Sequence, residues 1–121
     1  MKKRPHKWKD EHPIYRQLMD EVIAGILDRS YAEGQMLPSV RQLAEMYDVN
    51  PLTTAKAYRE LAHAGLVETL RGEGLAVRSG VRDGLLKRER AKFMKEEWPD
   101  LRARLTRLEV DVKMLLATAS D

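Results

Sequence analysis

The chain contains no cysteine. That excludes disulfides, thiolate metal sites and cysteine nucleophiles. Aromatic residues are scarce: one phenylalanine, two tryptophans and four tyrosines in 121 residues. They are scattered, so they form no stacking platform for single-stranded nucleic acid. No apolar run approaches the roughly 18 residues of a membrane span. The basic start runs into His6 and Trp8 rather than an apolar stretch, so no secretion signal is expected. The three histidines, His6, His12 and His63, share no ligand spacing with one another or with carboxylates. Neither a metal nor a cofactor is expected. No Ser-His-Asp set, phosphate-cradling loop or paired-carboxylate pattern marks an enzyme. These absences suit a cytoplasmic protein with room for one domain and a small appendage.

Charge is present, but it is unevenly placed. Residues 1–12 carry five basic and two acidic side chains, and the remainder has 17 of each. Residues 13–79 alone hold seven basic against nine acidic side chains. A nucleic-acid surface in that segment therefore requires charges sorted by face. Residues 1–12 read as a basic flexible arm, in the first place a solvated terminus with Trp8 folded back on the body. The alternative is an arm that adds phosphate contacts.

The stretch from Leu37 to Val77 carries the most local information. Ser39-Val40-Arg41-Gln42 fits a capping box, and Pro38 blocks extension upstream. Val40, Leu43, Ala44 and Tyr47 then recur on one helical face. Asn50 and Pro51 are a favoured N-cap and first helical residue for a second helix. Ala57, Tyr58, Leu61 and Ala62 form its expected inward stripe, and Gly65 closes it in left-handed geometry. With only Asp48-Val49 between them, the helices must cross sharply, as in a helix-turn-helix. Residues 66–70 alternate like a half-buried strand, 71–74 form a glycine turn, and 75–77 return.

Upstream, residues 13–29 read as a helix with the apolar stripe Leu18, Met19, Val22, Ile23, Ile26 and Leu27. Gly25 inside it costs about 1 kcal/mol relative to alanine, and tight packing against another helix is the expected reason. Downstream, Ser79-Gly80 reads as a linker to a charged helical tail. Pro99 suits the first turn of a new helix there. Leu101, Leu105, Leu108, Val112 and Leu115 recur at spacings of four and three, a seam at heptad period. Asp111 is placed to cap a separate short helix, with a break near Glu109-Val110. One narrow stripe cannot make a core of its own. The tail must fold onto its own domain or pair with a second copy, and pairing is the expectation.

Pro13-Ile14-Tyr15-Arg16-Gln17-Leu18 and Leu37-Pro38-Ser39-Val40-Arg41-Gln42-Leu43-Ala44 resemble the winged helix-turn-helix domain of the GntR family of bacterial transcription regulators. So do Val49-Asn50-Pro51, Lys56-Ala57-Tyr58-Arg59-Glu60-Leu61, Gly65-Leu66-Val67 and Arg71-Gly72-x-Gly74. The Asn50-Pro51 pair and the short tail are similar to the YtrA branch. The resemblance implies a very short strand at 35–37 beside the wing, and a homodimer on duplex DNA.

The expected fold class is mostly α with a small β wing. A basic arm at 1–12 precedes a winged helix-turn-helix at 13–79, and a helical dimerisation tail follows at 80–121. Ser39 and Arg41, at a helix start, are expected to clamp a phosphate. The plainer alternative is capping plus an Arg41–Glu45 ion pair. Asn50, Pro51, Leu52, Thr53 and Lys56 form the leading end of the recognition helix. Lys56 can donate to guanine O6/N7 or to phosphate, and Thr53 can meet a phosphate or a thymine methyl. Leu52 and Ala55 stand where relatives commonly carry polar residues or arginine. Arg71, Gly72 and Gly74 make the wing tip, read as a basic finger in the minor groove, with Glu73 repulsive towards phosphate; the alternative is a plain glycine hairpin.

The expected function is sequence-specific DNA binding as a homodimer on an inverted repeat, mostly for repression. The alternative is a winged-helix protein-interaction module without DNA specificity. A small-molecule effector is left unidentified.

Overall fold

Pro13, with φ −56° and ψ 146°, cannot begin a helix itself, but its carbonyl accepts from the N–H groups of Arg16 and Gln17. The first helix, α1, follows as Ile14–Leu27. The structure is a computed structural model and describes residues 8–118. Lys2, Lys3, Arg4 and Lys7 of the expected arm lie outside the described residues.

The part of the arm that is described lies along α1. Gln17 is buried and its amide bonds in both directions. Nε2 donates to the carbonyls of Lys9 (2.7 Å) and His12 (2.8 Å), and Oε1 accepts from the Lys9 N–H (2.8 Å). Burial without these partners would be costly for an amide. The Trp8 ring sits 6.0 Å from that of Tyr47, tilted by 50°.

The chain then forms α2 at Val40–Tyr47, α3 at Pro51–His63, β1 at Val67–Leu70 and β2 at Gly74–Val77. It continues as α4 at Val81–Lys92, a π-helical segment at Phe93–Glu97, α5 at Trp98–Arg107 and α6 at Val112–Thr118. The described chain falls into two compact units that part between Asp83 and Gly84.

In the winged unit, Leu18, Val22 and Ile26 of α1 are buried with Leu43 and Tyr47 of α2 and Ala57, Tyr58 and Leu61 of α3. The inward stripe of α3 differs from expectation at one end. Ala62 is exposed, and Thr54, 0% exposed, completes the stripe as Thr54, Ala57, Tyr58 and Leu61. Thr54 tolerates burial because its hydroxyl donates to the Asn50 carbonyl at 3.3 Å. Val49 in the turn is half-buried.

Gly25 also has a different cause from the one expected. A Cβ there would collide with Cδ2 and Cε2 of Tyr31, a residue six positions on, not with another helix. Tyr31 is drawn over α1 by its own N–H, which donates to the Gly25 carbonyl at 2.9 Å.

The wing is an antiparallel pair with Val67 opposite Val77 and Leu70 opposite Gly74. Leu66 and Val67 are both buried while Glu68 and Thr69 are both exposed, so strict alternation does not hold. The short strand implied at 35–37 is present as a single bridge, Met36 with Ala76. It is flanked by Leu37 N–H to the Leu75 carbonyl (2.8 Å) and Val77 N–H to the Gln35 carbonyl (3.0 Å).

The first turn of α4 belongs to the winged unit. The Arg82 guanidinium donates twice to the Leu27 carbonyl, from Nε at 2.9 Å and from a terminal nitrogen at 2.7 Å. In return Glu33 accepts the Arg82 backbone N–H at 2.9 Å. Arg82 thus caps the C-terminal end of α1, and Glu33, from the loop, caps the N-terminal end of α4. The bonds to the Arg82 and Gly80 N–H groups hold the Glu33 carboxyl below its ordinary range.

In the tail unit, Trp98 N–H reaches back five residues to the Phe93 carbonyl. This widened turn lies immediately before Pro99, whose ring would crowd the carbonyl four residues back in a regular helix. Pro99 sits in the first turn of α5, as expected. The seam is interrupted. Glu109 adopts φ 53°, and the Glu109 and Val110 N–H groups close α5 onto Thr106 and Leu105. Leu101 and Leu105 therefore lie on α5, Leu108 at its cap, and Val112 and Leu115 on α6. Leu105 is half-buried and the other four are exposed.

Candidate nucleic-acid interface

The interface is built from the ends of two short helices, and both ends are set by capping. Ser39 Oγ accepts the Gln42 N–H at 3.1 Å, and Gln42 Oε1 accepts the Ser39 N–H at 2.9 Å. This is the full capping box expected. It leaves Arg41 exposed on the first turn of α2. Among the described residues no ion pair joins Arg41 to Glu45. The carbonyl of Pro38, just ahead of the cap, accepts from the Tyr58 hydroxyl at 2.6 Å. That bond ties α3 to the start of α2, and burial pushes the Tyr58 phenol far above its ordinary value.

The turn between the helices is closed by Asp48 at φ 55°. Its N–H returns to Glu45 and that of Val49 to Ala44. Asn50 then caps α3: its side-chain oxygen accepts the Leu52 N–H at 2.8 Å, with Pro51 in the first turn. The far end closes with Gly65 at φ 78°, Leu66 N–H reaching the Leu61 carbonyl and Gly65 N–H that of Ala62. That is the Schellman arrangement, and it needs the left-handed residue that glycine supplies.

These caps decide which side chains α3 presents. Asn50, Pro51 and Lys56 are exposed and Thr53 is half-buried. Leu52 is 79% exposed, the most exposed large apolar side chain of the winged unit. Arg41 and Pro51 line one open crevice of about 530 Å³ with Ala44, Glu45, Asp48 and Val49. Lys56 lies against α1, its Nζ 4.2 Å from the centroid of the Tyr15 ring. Motif spacing does not reveal that contact, although Tyr15 stands in the entry motif.

The wing tip has Arg71, Gly72 and Glu73 exposed between the strands, and Gly74 exposed at the start of β2. Glu73 N–H closes the turn on the Leu70 carbonyl at 2.9 Å. Gly72 has φ 75° and Gly74 φ 114°, so both need glycine for backbone reasons alone. A Cβ on Gly74 would also come within 3.2 Å of the Met36 methyl. Among the described residues no cluster of side chains is placed to hold a metal ion, and no helix is long and apolar enough to cross a membrane.

The same architecture recurs in known proteins. The family model for bacterial regulatory proteins of the gntR family matches residues 14–77. The chain belongs to the GntR family. Among its GntR relatives is the HTH-type transcriptional repressor YtrA of Bacillus subtilis, 39% identical over 74 residues. That match covers 61% of this chain and 57% of the repressor, so the chain spans little more than half of that relative. A GntR family transcriptional regulator from Listeria monocytogenes superimposes with a TM-score of 0.66 at 30% identity, covering 91% of this chain and 95% of that one. The DNA-binding domain of AraR, solved in complex with operator ORE1, superimposes with a TM-score of 0.53 at 26% identity. It covers 60% of this chain and 89% of that one.

Proposed function

We propose that this GntR-family chain is a homodimeric, sequence-specific DNA-binding regulator that represses transcription by occupying an inverted-repeat operator. The observation that carries the reading is the leading end of α3. Asn50 fixes it by capping, and it presents Leu52, Thr53 and Lys56 on a domain whose relatives are transcriptional regulators. A recognition helix enters a major groove by this end. Arg41 and the α2 N-terminus supply phosphate contact, and Arg71, Gly72 and Gly74 approach the backbone from the wing. The exposed apolar side chains of α5 and α6 pair two copies, setting one recognition helix in each of two successive grooves.

The test is selection of duplexes from a random-sequence pool, followed by affinity measurements across salt. Arg41→Ala is expected to lower affinity similarly on all sequences and to flatten the salt slope by about one unit. Stability should change by no more than about 0.5 kcal/mol, because Arg41 is exposed. An unchanged slope removes Arg41 from the phosphate contacts. A chain that selects no duplex, and shows no salt-dependent binding, is a protein-interaction module instead.

A further inference from the structure

Lys56 is the cation at the leading end of α3, and a lysine side chain free in water samples many rotamers. In this structure its ammonium is docked, 4.2 Å from the centre of the Tyr15 ring. Among the described residues no carboxylate lies within ion-pair distance of it. The distinction matters chemically. A carboxylate would hold the ammonium by neutralising it, and would compete with phosphate. The face of an aromatic ring attracts a cation through its quadrupole and leaves the full positive charge in place.

The ring stands on a fixed platform. Tyr15 lies in the first turn of α1 and is half-buried. Two residues on, Gln17 clamps the same turn to the backbone at Lys9 and His12. Side chains locked in this way hold a recognition group in place better than loops do.

We propose that Tyr15 is a positioning residue for DNA binding: its ring pre-places the Lys56 ammonium for the duplex without neutralising it. The proposal rests on the DNA-binding reading above. It assigns the work to the ring and not to the phenol hydroxyl, so phenylalanine at position 15 must substitute and leucine must not.

Two measurements test it, one without DNA. In the free protein, the ring current of Tyr15 should shift the Lys56 ε-methylene protons upfield. That shift should persist in Tyr15→Phe and vanish in Tyr15→Leu. On a duplex enriched by this protein from a random-sequence pool, Tyr15→Phe should bind like the unmodified chain. Tyr15→Leu should bind about two- to fivefold more weakly, the range of a solvent-exposed cation–π contact. In a Lys56→Met background, Tyr15→Leu should have no further effect. Circular dichroism on each variant checks that the fold is retained.

Binding by Tyr15→Phe as weak as by Tyr15→Leu overturns the proposal, because the hydroxyl would then be the contact. Equal losses with and without Lys56 overturn it too, because Tyr15 would then act independently. So does an absent upfield shift in the unmodified chain. A chain that enriches no duplex overturns the DNA-binding reading along with the proposal, whereas the other three failures leave that reading intact.

Discussion

The two units use similar apolar patterning to opposite ends. In the winged unit the stripes of α1, α2 and α3 meet one another, and Leu18, Leu43 and Leu61 are each 0% exposed. In the tail, Leu85 is buried, while Phe93, Met94, Leu101, Leu108, Val112, Met114, Leu115 and Leu116 are all exposed in the single chain. Periodicity identifies which face of a helix is apolar. It does not say whether the same chain covers that face. Non-consecutive helices cover one another in the first unit, and the second leaves its stripe exposed.

The sharpest way to break this contrast is in the tail. Leu105→Asp with Leu108→Asp should convert a dimer to a monomer while the winged unit stays folded. Operator affinity should fall by about 10²–10⁴-fold, because joined half-sites gain avidity through effective concentration alone. Molar mass in solution, circular dichroism and operator affinity on the double variant decide it. A folded dimer with normal binding would place the pairing surface elsewhere, and an unfolded chain would make the tail part of the domain core.

A smaller effect is expected from the converse change. Leu61→Ala should cost the winged unit about 2–5 kcal/mol, the range for emptying a fully buried leucine site. The exposed Leu101→Ala should cost a monomer no more than about 0.5 kcal/mol. Denaturant unfolding of both would erase the contrast if the two losses were equal.

The smallest effect concerns the segment that ends the winged unit. Glu33 is held below its ordinary value of 4.5 by the N–H groups of Arg82 and Gly80. A lowered carboxyl pKa means that the folded state favours the charged form. Its stabilisation is complete above the ordinary value and is lost as pH falls through the lowered one. Glu33→Gln should therefore flatten the acid limb of the melting temperature slightly and leave neutral-pH DNA binding alone. An acid limb identical to that of the unmodified chain would show that Glu33 does not contribute.

Much of this architecture was legible because its causes are local. The capping box at Ser39 and Gln42, the Asn50-Pro51 start and the Gly65 stop each span a few residues, and each forms as read. The break in the tail is signalled the same way, by the residues around Glu109. What stayed hidden depends on partners distant in sequence or on polar atoms satisfied in place. Thr54 looks like a surface residue until its hydroxyl is seen bonded to the Asn50 carbonyl. That is why the stripe of α3 was expected one turn too far along, at Ala62. Gln17 and Arg82 are likewise polar by composition and structural by position, at contacts 8 and 55 residues apart in sequence. Of the candidate site, the capping residues were readable in full. The docking of Lys56 on Tyr15 was not, because it joins α3 to α1 across 41 positions.

Gly25 and Tyr31 carry a consequence for how this chain can change over generations. The ring occupies the space that any side chain at position 25 would need. Position 25 is therefore not free to drift alone. A lineage that gains alanine at 25 must first, or at once, accept a smaller or displaced residue at 31. A lineage that keeps the tyrosine is confined to glycine despite its helical cost. Position 31, six residues on, thus decides what position 25 can become.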